Sequence, residues 1–217
     1  YDQVDVGEYS FSPDSKHFAY AASADDKGFV VFDGKAGKPY FGIGVGSLVF
    51  SPDSKRFAYA ALLKGCVHSE VERKKDEELH KAEEEWCVVV DGQEGKAYNM
   101  IGTTITYSSD SKRLAYFGWE KGGWLLVIDG REYRQKQYDG VGGAVFSPDG
   151  KHVAFAAKSG KKYSVAVDGQ EGKRYDGIPT LFGAKITFEA ADKLRYLAVD
   201  ENKVYLVEEK IAERAKP

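Results

Sequence analysis

Four histidines, two cysteines and a set of spaced carboxylates are the residues of this chain whose types could carry chemistry. Asp76, His80 and Glu84 stand at i, i+4 and i+8, with Glu77 three residues before His80, a spacing that would gather them on one helical face. A single helix seldom supplies a full coordination shell, so the spacing reads as a solvated face, with neither metal nor cofactor expected. His17 and His152 each follow a lysine at matching places, and Arg56 and Arg113 fill the same place elsewhere. A position that alternates between His and Arg reads as a solvated strand position rather than a general base. The chain shows no nucleophile beside a base and its orienting group, and no glycine loop that would hold a phosphate at a helix start. Cys66 and Cys87 would have to bring their α-carbons within about 7 Å to bond, and the sequence leaves that pairing open. The reading is therefore non-catalytic.

The elements that must position these groups come from a repeat. Phe-Ser-Pro-Asp-Ser-Lys begins at Phe11 and at Phe50. It returns as Tyr-Ser-Ser-Asp-Ser-Lys at Tyr107, as Phe-Ser-Pro-Asp-Gly-Lys at Phe146, and in a worn form at Phe188. The step is near forty residues, except for the second, which carries an insertion. Each unit predicts four short strands. The first ends at the aromatic, and the Ser-Pro-Asp turn follows, with Asp14, Asp53, Asp110 and Asp149 capping nearby amides. The second strand alternates small and large residues, as in Phe57-Ala-Tyr-Ala-Ala61. The third is apolar and stops at Asp-Gly (Asp33, Asp91, Asp129, Asp168), a hairpin signal. The fourth is short and polar, around Tyr98, Tyr138 and Tyr175.

Four-stranded antiparallel units at this period predict an all-β, five-bladed β-propeller that occupies residues 1–217 as one domain, with 211–217 as a tail. The fifth unit lacks a fourth strand, and Tyr1-Asp-Gln-Val4 matches Tyr138-Asp-Gly-Val141. The expectation is that Tyr1 to Val4 pairs with Val204 to Val207 and closes the ring. The repeated Phe-Ser-Pro-Asp-Ser/Gly-Lys unit, the Ala-Tyr or Ala-Phe strand and the Asp-Gly turn resemble the bacterial TolB-type propeller repeats, distant relatives of Trp-Asp repeats. The resemblance implies a binding platform without catalytic residues, and a periplasmic or secreted setting.

The insertion, 62–86, interrupts the second unit between its second and third strands. Ser69 and Glu72 form a capping box before a charged run without Gly or Pro. Val67, Val71, Leu79, Ala82 and Trp86 fall on one stripe of an amphipathic helix predicted from Ser69 to Glu85. That helix could lie on its own propeller or meet a partner or a second copy, through Val71 and Leu79. Because adjacent strand ends lie about 4.8 Å apart, the inserted segment must return to where it left.

The chain has 217 residues and a net charge of -3. That balance points away from nucleic acid, and no apolar run reaches the length of a membrane span. No signal-peptide pattern stands at Tyr1 and no Met opens the chain, as in a trimmed sequence. The functional reading is a binding scaffold for a protein or peptide. The alternative is a small ligand or carbohydrate held by aromatics ahead of the third strands: Trp86, Trp124 and Tyr163, with Trp119 nearby. On the inner strands, Glu8 and Lys185 are the two charges of an otherwise small or polar ring, expected to meet across the closing seam.

Overall fold

The structure is a computed structural model that describes residues 3–65, 84–179 and 185–211. Five antiparallel sheets follow one another along the chain. The first holds β1 (Gln3–Phe11), β2 (Phe18–Ala24), β3 (Lys27–Phe32) and β4 (Lys35–Ala36). The second holds β5 (Gly42–Ile43), β6 (Val49–Phe50), β7 (Phe57–Lys64), β8 (Glu85–Val90) and β9 (Gln93–Glu94). The third holds β10 (Met100–Ile101), β11 (Thr106–Tyr107), β12 (Leu114–Glu120), β13 (Gly123–Ile128) and β14 (Arg131–Tyr138). The fourth holds β15 (Gly140–Val141), β16 (Val145–Phe146), β17 (Val153–Ser159), β18 (Lys162–Val167) and β19 (Gln170–Tyr175). The fifth has three strands, β20 (Thr187–Ala190), β21 (Lys193–Asp200) and β22 (Lys203–Lys210). In the middle three sheets the expected first strand is split into two short pieces that both pair with the second strand.

The Asp-Gly hairpins form as the sequence predicts. Asp33, Asp91, Asp129 and Asp168 all adopt φ near +50°, and the glycines after them lie between +74° and +80°. This double left-handed turn matches strand twist, and Asp and Gly tolerate it best.

The expected ring closure is not present. Gln3 pairs with Ser23 and Val4 with Ala22, inside the first sheet, and among the described residues no strand of the first sheet pairs with β22. The reason lies in the repeat. Tyr138 ends β14, but Gly140 and Val141 already pair with Lys158 and Ala157 of the next sheet. The chain crosses over immediately after the tyrosine, so Gln3 and Val4 stand at first-strand positions. No closed five-bladed arrangement follows.

The predicted helix is also corrected. No helix occurs among the described residues, and Glu85, placed at its end, starts β8. Leu62 pairs with Trp86 and Lys64 with Glu85, so the hairpin extends further than the expected boundaries and the insertion is narrower. Most of the predicted helix, with Val71, Leu79 and Cys66, lies outside the described residues.

Neighbouring sheets pack face to face through apolar clusters that alternate with the repeat. One joins Val30 and Tyr40 to Phe50, Phe57 and Tyr59, and another joins Val88 and Tyr98 to Tyr107, Leu114 and Tyr116. A tyrosine after the third strand of each of the first four sheets meets an aromatic of the next sheet edge-on: Tyr40–Tyr59, Tyr98–Tyr116, Tyr138–Phe155 and Tyr175–Tyr196 have centroids 5.4–6.3 Å apart. Such a pair contributes about 0.5–1.5 kcal/mol beyond its buried area.

Candidate functional site

The Ser-Pro-Asp turns cap themselves and tie the sheets together. Ser12 Oγ donates to Asp14 Oδ1 (2.7 Å) and accepts from the His17 amide (2.9 Å), while Asp14 Oδ1 also accepts from the Lys16 amide (3.1 Å). The Asp14 amide then donates to Ser54 Oγ of the next sheet (3.0 Å), and the Asp53 amide to Ser111 Oγ (2.9 Å). These bonds, led by the serine hydroxyl, lower the Asp14 carboxyl to about 2, and Ser147 does the same for Asp149.

The alternating His/Arg position is not merely solvated. His17 Nδ1 lies 2.7 Å from Asp33 Oδ2, and His152 Nδ1 lies 2.8 Å from Asp168 Oδ2. Arg56 Nε donates to Asp91 Oδ2 at 2.9 Å, and Arg113 Nε to Asp129 Oδ2 at 3.2 Å. The other oxygen of each aspartate accepts the amide that opens the second strand, from Phe18, Phe57, Leu114 or Val153. The geometry resembles the base-orienting half of a catalytic triad. Because arginine fills the same place in two sheets, the position serves as a lock between strand start and hairpin turn. Among the described residues, no group of three His, Cys, Asp or Glu could hold a metal ion, and no helix is long and apolar enough to cross a membrane. Asp76, Glu77 and His80 lie outside the described residues.

A second ladder, not anticipated from the sequence, links successive fourth strands. Lys38 Nζ lies 2.7 Å from Glu94, Lys96 Nζ 2.6 Å from Glu132, and Lys136 Nζ 2.7 Å from Glu171. The recurrent Lys-x-Tyr before each crossover and the Glu after Asp-Gly-x carried this signal. Hydrogen bonding to Lys38 lowers the Glu94 carboxyl.

The aromatics expected to face a ligand occupy one register position. Trp86, Trp124 and Tyr163 stand where Gly28 stands in the first sheet, and each bridges to the tyrosine that follows its hairpin: Trp86 to Tyr98, Trp124 to Tyr138, Tyr163 to Tyr175. All three are half-buried against the inter-sheet clusters, and Trp119 pairs directly with Trp124. Trp86 Nε1 donates to Glu84 at 2.8 Å. Cys87 is a free, buried cysteine. Lys185 is exposed, and the Glu8 side chain lies outside the described residues, so their meeting gains no contact here.

The fifth sheet breaks the pattern. Val204 holds the position of Trp86, Trp124 and Tyr163, yet no fourth strand faces it among the described residues. Val204 is 66% exposed, Leu206 63% and Tyr205 43%. The residues that match Leu206 elsewhere, Val30, Val88, Leu126 and Val165, are 0–4% exposed. Charge replaces the rest of that face: Arg195 stands at the place of Ala19 and Glu208 at the place of Phe32. Glu208 pairs with Lys193 at 2.7 Å, and Arg195 with Glu189 at 3.0 Å. What remains is an apolar strip along a strand edge that is unpaired among the described residues, with charges at its foot. At the other end of the array, Tyr9 and Phe11 are 59% and 61% exposed, whereas Phe50, at the position of Phe11, is 8% exposed.

No family model matches the chain, and no curated protein matches it. Among solved structures it is similar to TolB from Acinetobacter baumannii at 17% identity and a TM-score of 0.47, over 94% of this chain and 51% of that one. It is also similar to the acylaminoacyl peptidase of Pyrococcus horikoshii at 14% identity and a TM-score of 0.45, over 95% of this chain and 37% of that one. A third is the β-propeller domain of the Trilobed protease of Pyrococcus furiosus, at 14% identity and a TM-score of 0.33, over 99% of this chain and 84% of that domain. The chain thus spans about half the length of the first of these, and the likenesses are to TolB and other β-propeller proteins.

Proposed function

We propose that the chain is a non-catalytic binding scaffold for a protein or peptide, and that it takes an extended segment onto the free edge of β22. The observation that carries this is the exposure of Val204, Tyr205 and Leu206 on a third strand that has no fourth strand beside it among the described residues. An unpaired edge with apolar side chains is a template for strand addition. Backbone hydrogen bonds supply affinity there, and alternate side chains supply selectivity. The other sheets indicate what such a segment would carry. In the third sheet Arg131 faces Ile128 and Tyr138 faces Trp124. On β22 the matching places are Glu208 and Val204, so the preferred segment has a basic residue opposite Glu208 and an aromatic opposite Val204. The charges at Arg195 and Glu208 make a narrow strip rather than a broad apolar face, which suits a peptide better than another packed sheet.

The probe is a labelled peptide of residues 131–138, titrated against the full chain by fluorescence anisotropy. The expected result is saturable binding that a scrambled peptide lacks, and that Val204→Lys with Leu206→Lys abolishes. Those side chains are exposed, so the variant should keep its unfolding curve. Equal binding of the scrambled peptide, or binding unaffected by the two lysines, would overturn the reading.

A further inference from the structure

A cleft of about 290 Å³ opens between the first and second sheets, on the rim that carries the turns, and no residue of β22 lines it. Its size is near the lower end for small-ligand sites. The floor is aromatic. Phe50 and Phe57 have centroids 4.7 Å apart, and Phe32 lies 5.8 and 5.6 Å from them. The rim is cationic, with Lys35, Lys55 and Arg56, against one carboxylate, Asp91. Arg56 is committed to that carboxylate at 2.9 Å, while Lys35 and Lys55, which line the opening, lie within electrostatic reach of Asp33 and Asp53 respectively.

The repeat itself separates a specialised site from a gap common to every junction. At the next junction the matching cleft is lined by Val90 and Leu114 in place of Phe32 and Phe57, and by Gln93 in place of Lys35. At the junction after it, Ile128 and Val153 take the two phenylalanine places. Sheet packing therefore does not require three phenylalanines or a lysine at position 35. The fourth strand is short at both open junctions: β4 and β9 have two residues each, whereas β14 has eight and β19 six.

We infer that this cleft binds a small amphipathic anion, an aromatic ring within two or three bonds of a carboxylate. The ring would lie on Phe32, Phe50 and Phe57, and the carboxylate would lie between Lys35 and Lys55. A free aromatic acid and the C-terminal carboxylate of a peptide ending in an aromatic residue share this chemistry.

The test is a titration of isotopically labelled full chain, followed by backbone NMR shifts, with phenylacetate, N-acetyl-L-phenylalanine and the neutral amide of each. Shifts are expected at residues 32–37, 54–57 and 91–92, with each acid binding roughly 2- to 5-fold tighter than its amide, the range of an exposed ion pair. Lys35→Gln with Lys55→Gln removes that difference. Phe32→Val, which installs the residue the second sheet uses at Val90, weakens every probe about tenfold while the unfolding curve keeps its shape. Tighter binding of N-acetyl-L-phenylalanine identifies a peptide terminus as the source, and tighter binding of phenylacetate a free acid. Absence of binding, equal affinity of acids and amides, shifts centred elsewhere, or a Phe32→Val protein that binds as before would each overturn the inference. None of these readouts depends on β22.

Discussion

Phe11 and Phe50 occupy the same position of the repeat, and the structure assigns them opposite energetic weights. Phe50 is 8% exposed and packs on Phe57 at 4.7 Å and on Phe32 of the preceding sheet at 5.8 Å. Removing its ring forfeits nearly the full transfer energy of a phenylalanine and leaves a cavity between two sheets, so Phe50→Ala should cost about 3–5 kcal/mol. Phe11 is 61% exposed and rests on Phe18 at 4.5 Å, with no preceding sheet packed on it among the described residues. Burial of a phenylalanine is worth about 3 kcal/mol at most, so the remaining contact supports a cost of roughly 1 kcal/mol for Phe11→Ala, with no cavity term. Urea unfolding followed by circular dichroism at low micromolar protein measures both, and the two costs should differ by about 2 kcal/mol or more. Equal costs would show that something covers Phe11 in solution, and the open first face described above would be wrong.

Three further outcomes are expected. Asp14 and Asp149 titrate near 2 in the folded chain, below the ordinary aspartate value of about 3.9. A lowered folded value contributes stability above the unfolded pKa and loses it as pH falls through the folded one. Urea midpoints should therefore drop between about pH 4 and 2, and Ser147→Ala should flatten that drop. In a Cys66→Ser background, Cys87 should resist an aromatic disulfide reagent until urea unfolds the chain, because burial raises its thiol to about 11. Replacing residues 65–84 with Lys-Gly copies the turn that joins Glu120 to Gly123, and it should leave the β-sheet circular dichroism spectrum intact, because Lys64 already pairs with Glu85.

The sequence carried the strands well because period and turn chemistry are local. The Asp-Gly turns at Asp33, Asp91, Asp129 and Asp168 form as their residues predict, and the second strand expected over Phe57–Ala61 forms and runs on to Lys64. The closing strand was misread because the match of Tyr1–Val4 to Tyr138–Val141 is real, yet nothing local marks which sheet a residue joins after a crossover. The role of His17, Arg56, Arg113 and His152 was missed for a related reason. Their partners, from Asp33 to Asp168, lie 16 to 35 residues away, and only the fold brings each pair within about 3 Å. The cleft between the first two sheets was legible in part. Phe32, Phe50 and Phe57 stand out once the repeats are aligned, but their convergence depends on how consecutive sheets stack.

The central claim, that β22 offers a free edge to an incoming strand, is tested most directly by amide hydrogen exchange at residues 203–210. Alternate amides of an edge strand point away from its neighbour and lack a partner. In the full chain alone those amides should exchange rapidly while those of β21 are protected, and a saturating amount of the peptide of residues 131–138 should slow them. Amides of β22 already fully protected without peptide, or exchange unchanged by it, would contradict the account.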